Sequence, residues 1–425
     1  MTIVMTPPSV LSSPQRRCQV LLMLAVPGQQ VTMEHISTIN GVDEALARQD
    51  IAEMESEIQR YHRLSIIVHP NGSLRIEGAS LDQRLCLLHW LRRALRLCPQ
   101  FITHHFTPTL KTALKQQGIA RTLYDDTNLL ALINLCSRRL QRVFECRDTQ
   151  FLRLYLQYCL LQHHHGPAPE FTPVQQAWAQ VHAEYQAAQE IVRHWQRRVV
   201  NSPAENEHLF LSLLFMLVRT PDPLRDEHPQ DRRLQRAIKS MISRFHQLAG
   251  LRFSDEHGLS NQLYIHLAQA LDRSLFGIGI DNSLPEEIHL LYPRLMRTTR
   301  AALEEFEQEY ALRFSDEEAG LVAVIFGAWL MQECDLQEKQ VVLITGEDSA
   351  REQQIEQQLR ELTLLPLSIK YLPLAEFRDA GAPKDVTLII TPYTTPLPLF
   401  SPPLIHTDGP LSGQQQQHIR DMLEG

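Results

Sequence analysis

At 425 residues the chain is too long for one hydrophobic core, since single cores stop growing near about 250–300 residues, and its 44% apolar and 21% charged content with 17 glycines excludes disordered, collagen-like and low-complexity classes. The net charge of −8 conceals an asymmetry: residues 81–153 hold 12 Lys/Arg against 5 Asp/Glu, whereas 154–425 hold 23 against 36. No run approaches the ~18 uncharged apolar residues of a membrane span, and Arg16 and Arg17 follow the short apolar N-terminal stretch, opposite to a signal peptide, so a cytoplasmic protein is expected.

The seven cysteines, at 18, 86, 98, 136, 146, 159 and 334, are odd in number and lack any CxxC pair. That pattern predicts reduced thiols packed as small apolar side chains, with neither a disulfide framework nor a zinc site.

Residues 1–80 predict a winged helix-turn-helix. PQRRCQVLLMLAVPG is an amphipathic helix stopped by Pro27-Gly28; Thr32 caps the short helix MEHISTIN; Gly41 turns the chain into the long helix DEALARQDIAEMESEIQRYHR, which Asp43 caps. LSIIV and SLRIEG, joined by His69-Pro70-Asn71-Gly72, are a hairpin. Residues 81–122 form a basic helical connector in which Arg92, Arg93 and Arg96 share a helix with Leu87, Leu88, Leu91, Leu95 and Leu97. Such a helix meets phosphates, an anionic membrane or an acidic partner, or is a solvated face balancing the acidic remainder of the chain.

From about 100 to 338 the pattern is helical and internally duplicated. LRLYLQYCLLQHHHG (152–166) aligns without gaps to LYIHLAQALDRSLFG (263–277), with Leu152/Leu263, Leu156/Leu267, Leu160/Leu271 and Gly166/Gly277 identical, an offset of 111. The same offset aligns EHLFLSLLFML (207–217) with EAGLVAVIFGA (318–328), matching Glu207 to Glu318 and Phe215 to Phe326. Two separate segments sharing one offset indicate a repeat, where leucines alone would not. Strands QVVLITGEDS, LSIKYLP and VTLIITP then alternate with helices AREQQIEQQLRELT and SGQQQQHIRDMLE, which predicts a small parallel α/β domain over 339–425.

Several of these segments resemble known modules. Val42-Asp43-Glu44-Ala45-Leu46-Ala47-Arg48-Gln49-Asp50-Ile51 and the hairpin after it resemble the N-terminal DNA-binding domain of bacterial regulators of sugar use, whose recognition helix reads Val-Ser-x-x-Thr-Val-x-x-Asp-Ile. Val42, Asp50 and Ile51 match the packing positions. Asp43 stands where Ser is usual and Leu46 where Thr is usual, and the helix continues with Glu53, Glu55 and Glu57. Each carboxylate repels a nucleic-acid backbone, so Arg48 and Gln49 are the residues left to read a base, with dimerisation or packing as the alternative role.

LYIHLAQALDR, LPEEIHLLYPRL and SDEEAGLVAVIFGAW, in this order and spacing, resemble a PRD, the phosphorylation-responsive helical bundle of bacterial antiterminators and transcription activators governed by the sugar phosphotransferase system. The resemblance implies a mainly α protein: a degenerate first PRD over 123–226, a second PRD over 227–338, and an enzyme IIB-like α/β domain at the C-terminus. It implies a homodimer and phosphorylation of histidines by HPr or an enzyme IIB protein. His266 occupies the first acceptor position of the second bundle, supported by Arg273; the other three positions hold Ile325, Tyr155 and Leu214. In the C-terminal domain the turn Ile344-Thr345-Gly346-Glu347-Asp348-Ser349 lacks the family's phosphate-accepting Cys, so no transfer is expected there.

Other patterns carry less. His163, His164 and His165 are consecutive, whereas helical metal ligands need i, i+4 spacing, so no metal is expected. Asp316, Glu317 and Glu318 follow Ser315 and open an apolar run, which fits a helix N-terminus better than paired catalytic carboxylates. No Walker, HExxH, G-x-G-x-x-G or G-x-S-x-G pattern occurs, so neither an enzyme nor a cofactor is expected. Two functions follow from the resemblance. One is a DNA-binding transcriptional regulator linked to stationary phase or carbon source, with Arg48, Gln49, Arg92, Arg93 and Arg96 toward DNA. The other is an interaction module that no longer binds DNA and engages a phosphotransferase component or another regulator.

Overall fold

A computed structural model of the chain describes residues 11–165, 168–196, 205–280, 287–333, 339–364, 367–396 and 401–424; Gly166 and Cys334, used above, lie outside them. The chain divides into two units, Met1–Arg219 with Leu275–Gly279, and Thr220–Ser274 with Ile280–Gly425.

The first unit opens with α1 (Ser13–Ala25), β1 (Val31–Thr32), α2 (Met33–Asn40), α3 (Glu44–His62), β2 (Ser65–Val68) and β3 (Ser73–Glu77). The caps lie where the sequence places them: the Thr32 hydroxyl accepts the His35 amide at 3.2 Å and the Asp43 carboxylate accepts the Leu46 amide at 2.8 Å. β2 and β3 form the expected hairpin, with Gly72 in the left-handed region at φ 75°. The third strand, β1, was not legible, because a two-residue strand carries no alternation of its own. It pairs Val31 with Leu74, so the antiparallel order is β1-β3-β2, the arrangement of a winged helix. Asp50 is buried and takes a two-pronged bond from Arg16 at 2.6 and 3.0 Å, tying α3 to α1.

The connector helix α4 (Ser80–Leu97) packs on α1 and buries Leu85, Leu87, Leu88, Trp90 and Leu91. α5 (Pro99–Phe101), a π turn and α6 (Thr107–Gln116) lead into the first bundle: α7 (Asp126–Leu140), α8 (Cys146–His165), α9 (Pro173–Gln180), α10 (Ala183–Gln196) and α11 (Glu205–Leu217). One continuous apolar core runs from α1 through α4 into α8 and α11 and includes Cys18, Cys86, Cys98, Cys136 and Cys159 as buried thiols.

The second unit repeats the bundle: α12 (Pro229–Ala249), α13 (Glu256–Phe276), α14 (Glu287–Leu291), α15 (Pro293–Tyr310) and α16 (Asp316–Glu333). The duplication holds in three dimensions. α10 packs on α7 and α11 as α15 packs on α12 and α16. Phe215 and its counterpart Phe326 are both fully buried, Phe326 stacked on Phe245 with ring centroids 4.0 Å apart. A parallel sheet follows, built of β4 (Lys339–Thr345), α17 (Ser349–Arg360), β5 (Leu367–Pro373), α18 (Leu374–Ala380), β6 (Leu388–Thr391), β7 (Leu404–His406) and α19 (Gly413–Glu424) in strand order β5-β4-β6-β7. Val341 and Leu343 pack on one face of β4 and Val342 and Ile344 on the other, which is why that strand reads as an unbroken apolar run. Among the described residues, no helix is long and apolar enough to cross a membrane.

Candidate functional site

On α13 the fully buried Leu263, Leu267 and Ala270 hold the helix against the bundle and leave His266 at its margin, its side chain 17% exposed. Ser315 caps α16 by accepting the Glu318 amide at 3.2 Å, and this fixes the Glu318 carboxylate opposite α13. Arg273, two turns after His266, grips that carboxylate through Nε at 2.6 Å and Nη2 at 3.1 Å, while His266 Nε2 lies 3.3 Å from Glu318 Oε2. Burial alone would raise the Glu318 pKa, but the bonds from His266 and Arg273 outweigh it and hold the carboxyl below its ordinary value. One imidazole nitrogen thus faces a carboxylate that a guanidinium also grips. Glu318 was read from the sequence only as a helix-start residue. Its identity with Glu207 at the repeat offset is the signal that links the two carboxylates.

The first bundle keeps the carboxylate and changes everything around it. Tyr155, at the His266 position, is fully buried and donates its hydroxyl to the Arg84 carbonyl; Leu214 is fully buried. Gln162, at the Arg273 position, donates to the Tyr158 hydroxyl at 2.9 Å. The cation comes instead from the connector: Arg84 of α4 donates Nη1 and Nη2 to the two Glu207 oxygens at 2.8 and 2.7 Å, and both side chains are 0% exposed. Burial opposes the Arg84 charge, yet the bonds and charge of Glu207 raise its pKa above the ordinary arginine value. The Arg84 guanidinium also stacks over Phe210, 5.0 Å from the ring centroid.

The residues expected to face DNA divide. Arg48 and Gln49 are exposed on α3, but Arg48 pairs with Glu44 and Gln49 donates to Glu53 at 3.0 Å. Arg93 is turned inward: it donates to Glu57 at 2.6 Å and lies 4.9 Å from the centroid of the Trp90 ring. Arg92 stacks over Phe151 at 5.1 Å, and its burial lowers its pKa. Arg96 is exposed near the end of α4. The structure therefore does not bring the five onto one exposed basic face. Sequence periodicity marked α4 as basic and amphipathic without showing that acidic α3 supplies the partner for Arg93.

In the C-terminal domain the turn after β4 is closed from within. The Gly346 amide donates to Glu352 at 2.5 Å, the Tyr393 hydroxyl donates to the same carboxylate at 2.6 Å, and the Asp348 amide donates to Tyr393 at 3.0 Å. A Cβ at Gly346 would lie 2.7 Å from the Tyr393 ring. Asp348 caps α17 by accepting the Arg351 amide at 3.1 Å. The Gly346 and Asp348 amides of this turn therefore already have acceptors.

Comparison with known proteins agrees with this architecture. The family model for the PRD domain matches residues 130–217 and again 239–329. The model for the C-terminal domain of the stationary phase-inducible protein CsiE matches 339–423. Over 420 residues, 99% of each chain, the sequence is 62% identical to the stationary phase-inducible protein CsiE of Escherichia coli strain K12. It is also 27% identical over 125 residues to the transcriptional regulator ManR of Bacillus subtilis strain 168, covering 29% of this chain and 19% of that protein.

Proposed function

This chain belongs to the family of the stationary phase-inducible protein CsiE and carries two PRD domains, and from that premise we propose that it is a transcription regulator that takes a phosphoryl group on His266 from HPr or an enzyme IIB-type protein. The observation that carries the reading is the trio His266, Glu318 and Arg273, in which one carboxylate joins an imidazole at 3.3 Å and a guanidinium at 2.6 Å. Phosphoryl transfer needs positioning and charge stabilisation more than covalent help from the protein, and the trio provides both. A phosphoryl group adds about −1.5 to −2 charges. Beside Glu318 it competes for Arg273, which loosens the bond between α13 and α16 and shifts the packing of the bundle.

The protein acts as a homodimer in the cytoplasm, with the winged helix as its output. Contact with DNA is made mainly to phosphate through Arg48 and Arg96, with Gln49 available to a base. A second reading, in which the winged helix meets a protein rather than DNA, is favoured by the inward-turned Arg92 and Arg93 and by the carboxylates of α3. Incubation with enzyme I, HPr and labelled phosphoenolpyruvate tests the first step: acid-labile label dependent on His266 supports it, and its absence refutes it.

A further inference from the structure

In the first bundle α4 lies along the edge formed by α8 and α11. Its Arg84 reaches Glu207 and stacks over Phe210, and the Tyr155 hydroxyl donates to the Arg84 carbonyl. Two turns later Arg92 lies over Phe151 and donates Nη1 to the Leu217 carbonyl at 3.5 Å. α4 therefore runs in the same direction as α11 and, with the rest of the bundle, closes it from solvent: from Leu209 to Met216 every apolar side chain is at most 3% exposed.

At the repeat offset, Phe151, Tyr155, Phe210 and Leu217 correspond to Gln262, His266, Leu321 and Ala328. α16 resembles α11 in composition, for no charged residue occurs between Glu318 and Glu333. A helix that is apolar on every side is built to be buried on every side. Its outer face is nevertheless open. Val324 is 41% and Met331 57% exposed, Ala328 is exposed, Leu321 is half-buried, and Ile265 of α13 is 41% exposed. Leu213 and Leu154, the first-bundle counterparts of Val324 and Ile265, are 0% and 4% exposed. Exposed Glu317 precedes Leu321, Val324, Ala328 and Met331 at three- and four-residue spacing, so a stripe of about 21 Å starts at a carboxylate and continues as apolar surface.

Charge selects what covers this stripe. Residues 227–338 hold 11 Lys/Arg against 18 Asp/Glu, so a second copy of the bundle would bring like charge to like charge. α4, which covers the equivalent edge of the first bundle, holds 4 Arg against 1 Asp over Ser80–Leu97. We propose that the outer face of α16, with Ile265 of α13, is the docking site for a basic amphipathic helix of a partner protein, seated as α4 is seated on the first bundle. The apolar side of that helix packs on Leu321, Val324, Ala328 and Met331, and its cations lie toward Glu317 and the acidic bundle. No phosphoryl group on His266 is required, so this site stands or falls independently of the phosphotransfer reading.

The probe is a fluorescein-labelled peptide of residues 80–97, kept reduced, added to unphosphorylated full-length protein and followed by fluorescence anisotropy. The expected result is saturable binding that weakens about tenfold or more in Val324→Lys with Met331→Lys, and likewise in Glu317→Lys. Binding should be unchanged in Leu224→Lys, which alters a side chain 74% exposed outside the stripe. A peptide with its four arginines replaced by glutamate should bind about tenfold or more weakly than the parent peptide. Unchanged thermal midpoints show that the variants are folded, and Glu317→Lys alone carries the test if the double variant is not. Absence of binding, binding insensitive to the stripe variants, or equal binding of the glutamate peptide overturns the proposal. A dimer lost on sedimentation of Val324→Lys with Met331→Lys assigns the face to a second copy and overturns it as well.

Discussion

The buried pair of Arg84 and Glu207 makes the sharpest stability prediction. The two side chains are 0% exposed and share two bonds of 2.7 and 2.8 Å, so Arg84→Met leaves a carboxylate in the core without its guanidinium partner. Stranding one member of a buried ion pair costs about 3–5 kcal/mol. In a unit of this size 1 kcal/mol moves the midpoint by roughly 2–4 °C, so the first unit should melt roughly 6–20 °C lower. Replacing both partners, as in Arg84→Met with Glu207→Leu, strands no charge, and the loss should fall to about 1 kcal/mol or less. Tyr155 keeps its acceptor in every variant, because it bonds the Arg84 backbone carbonyl. Urea unfolding followed by fluorescence suits the test, since Trp90 and Trp195 are fully buried in this unit. A single variant within about 1 kcal/mol of the parent, or a double variant worse than the single, would refute the reasoning.

Glu318 gives a pH dependence. Its carboxyl is held below its ordinary value in the folded protein, so its contribution is present above the unfolded pKa of about 4.3 and is lost as pH falls through the lower folded value. Glu318→Gln should lower the stability of the second unit at pH 7 and flatten its acid loss below about pH 4.3; an unchanged acid limb in urea titrations contradicts this. If DNA is bound, Arg48→Ala with Arg96→Ala should reduce the slope of log affinity against log salt by roughly 1–2, whereas Arg92→Ala should leave the slope unchanged, because Arg92 is stacked inside the unit. Sedimentation should show a dimer at micromolar concentration, and a monomer alone would remove the symmetric mode of action.

Much of this architecture was legible in the sequence, for a physical reason. Caps at Thr32 and Asp43, the hairpin around Gly72 and the apolar period of the duplicated helices are local signals, and the structure follows them. The site was legible only in part. His266 and Arg273 lie two turns apart on one helix, so their proximity could be read, but the carboxylate that joins them comes from α16, 45 positions later. Arg84 and Glu207 are 123 positions apart, and a charge that distant gives no sign in sequence of whether it meets solvent or a partner. The same limit applied to Arg93, read as facing phosphates and found on Glu57, and to the closure of the Gly346 turn by Glu352 and Tyr393.

The central claim is that the second bundle carries a phosphoryl acceptor at His266, held by Glu318 and Arg273. It is tested most directly by the initial rate of labelling from enzyme I, HPr and labelled phosphoenolpyruvate in the unsubstituted protein, His266→Ala and Arg273→Met. The account predicts acid-labile label in the first, loss of the fast phase in the second and a slowed fast phase in the third. An unlabelled parent, or a His266→Ala variant labelled as fast as the parent, would contradict it.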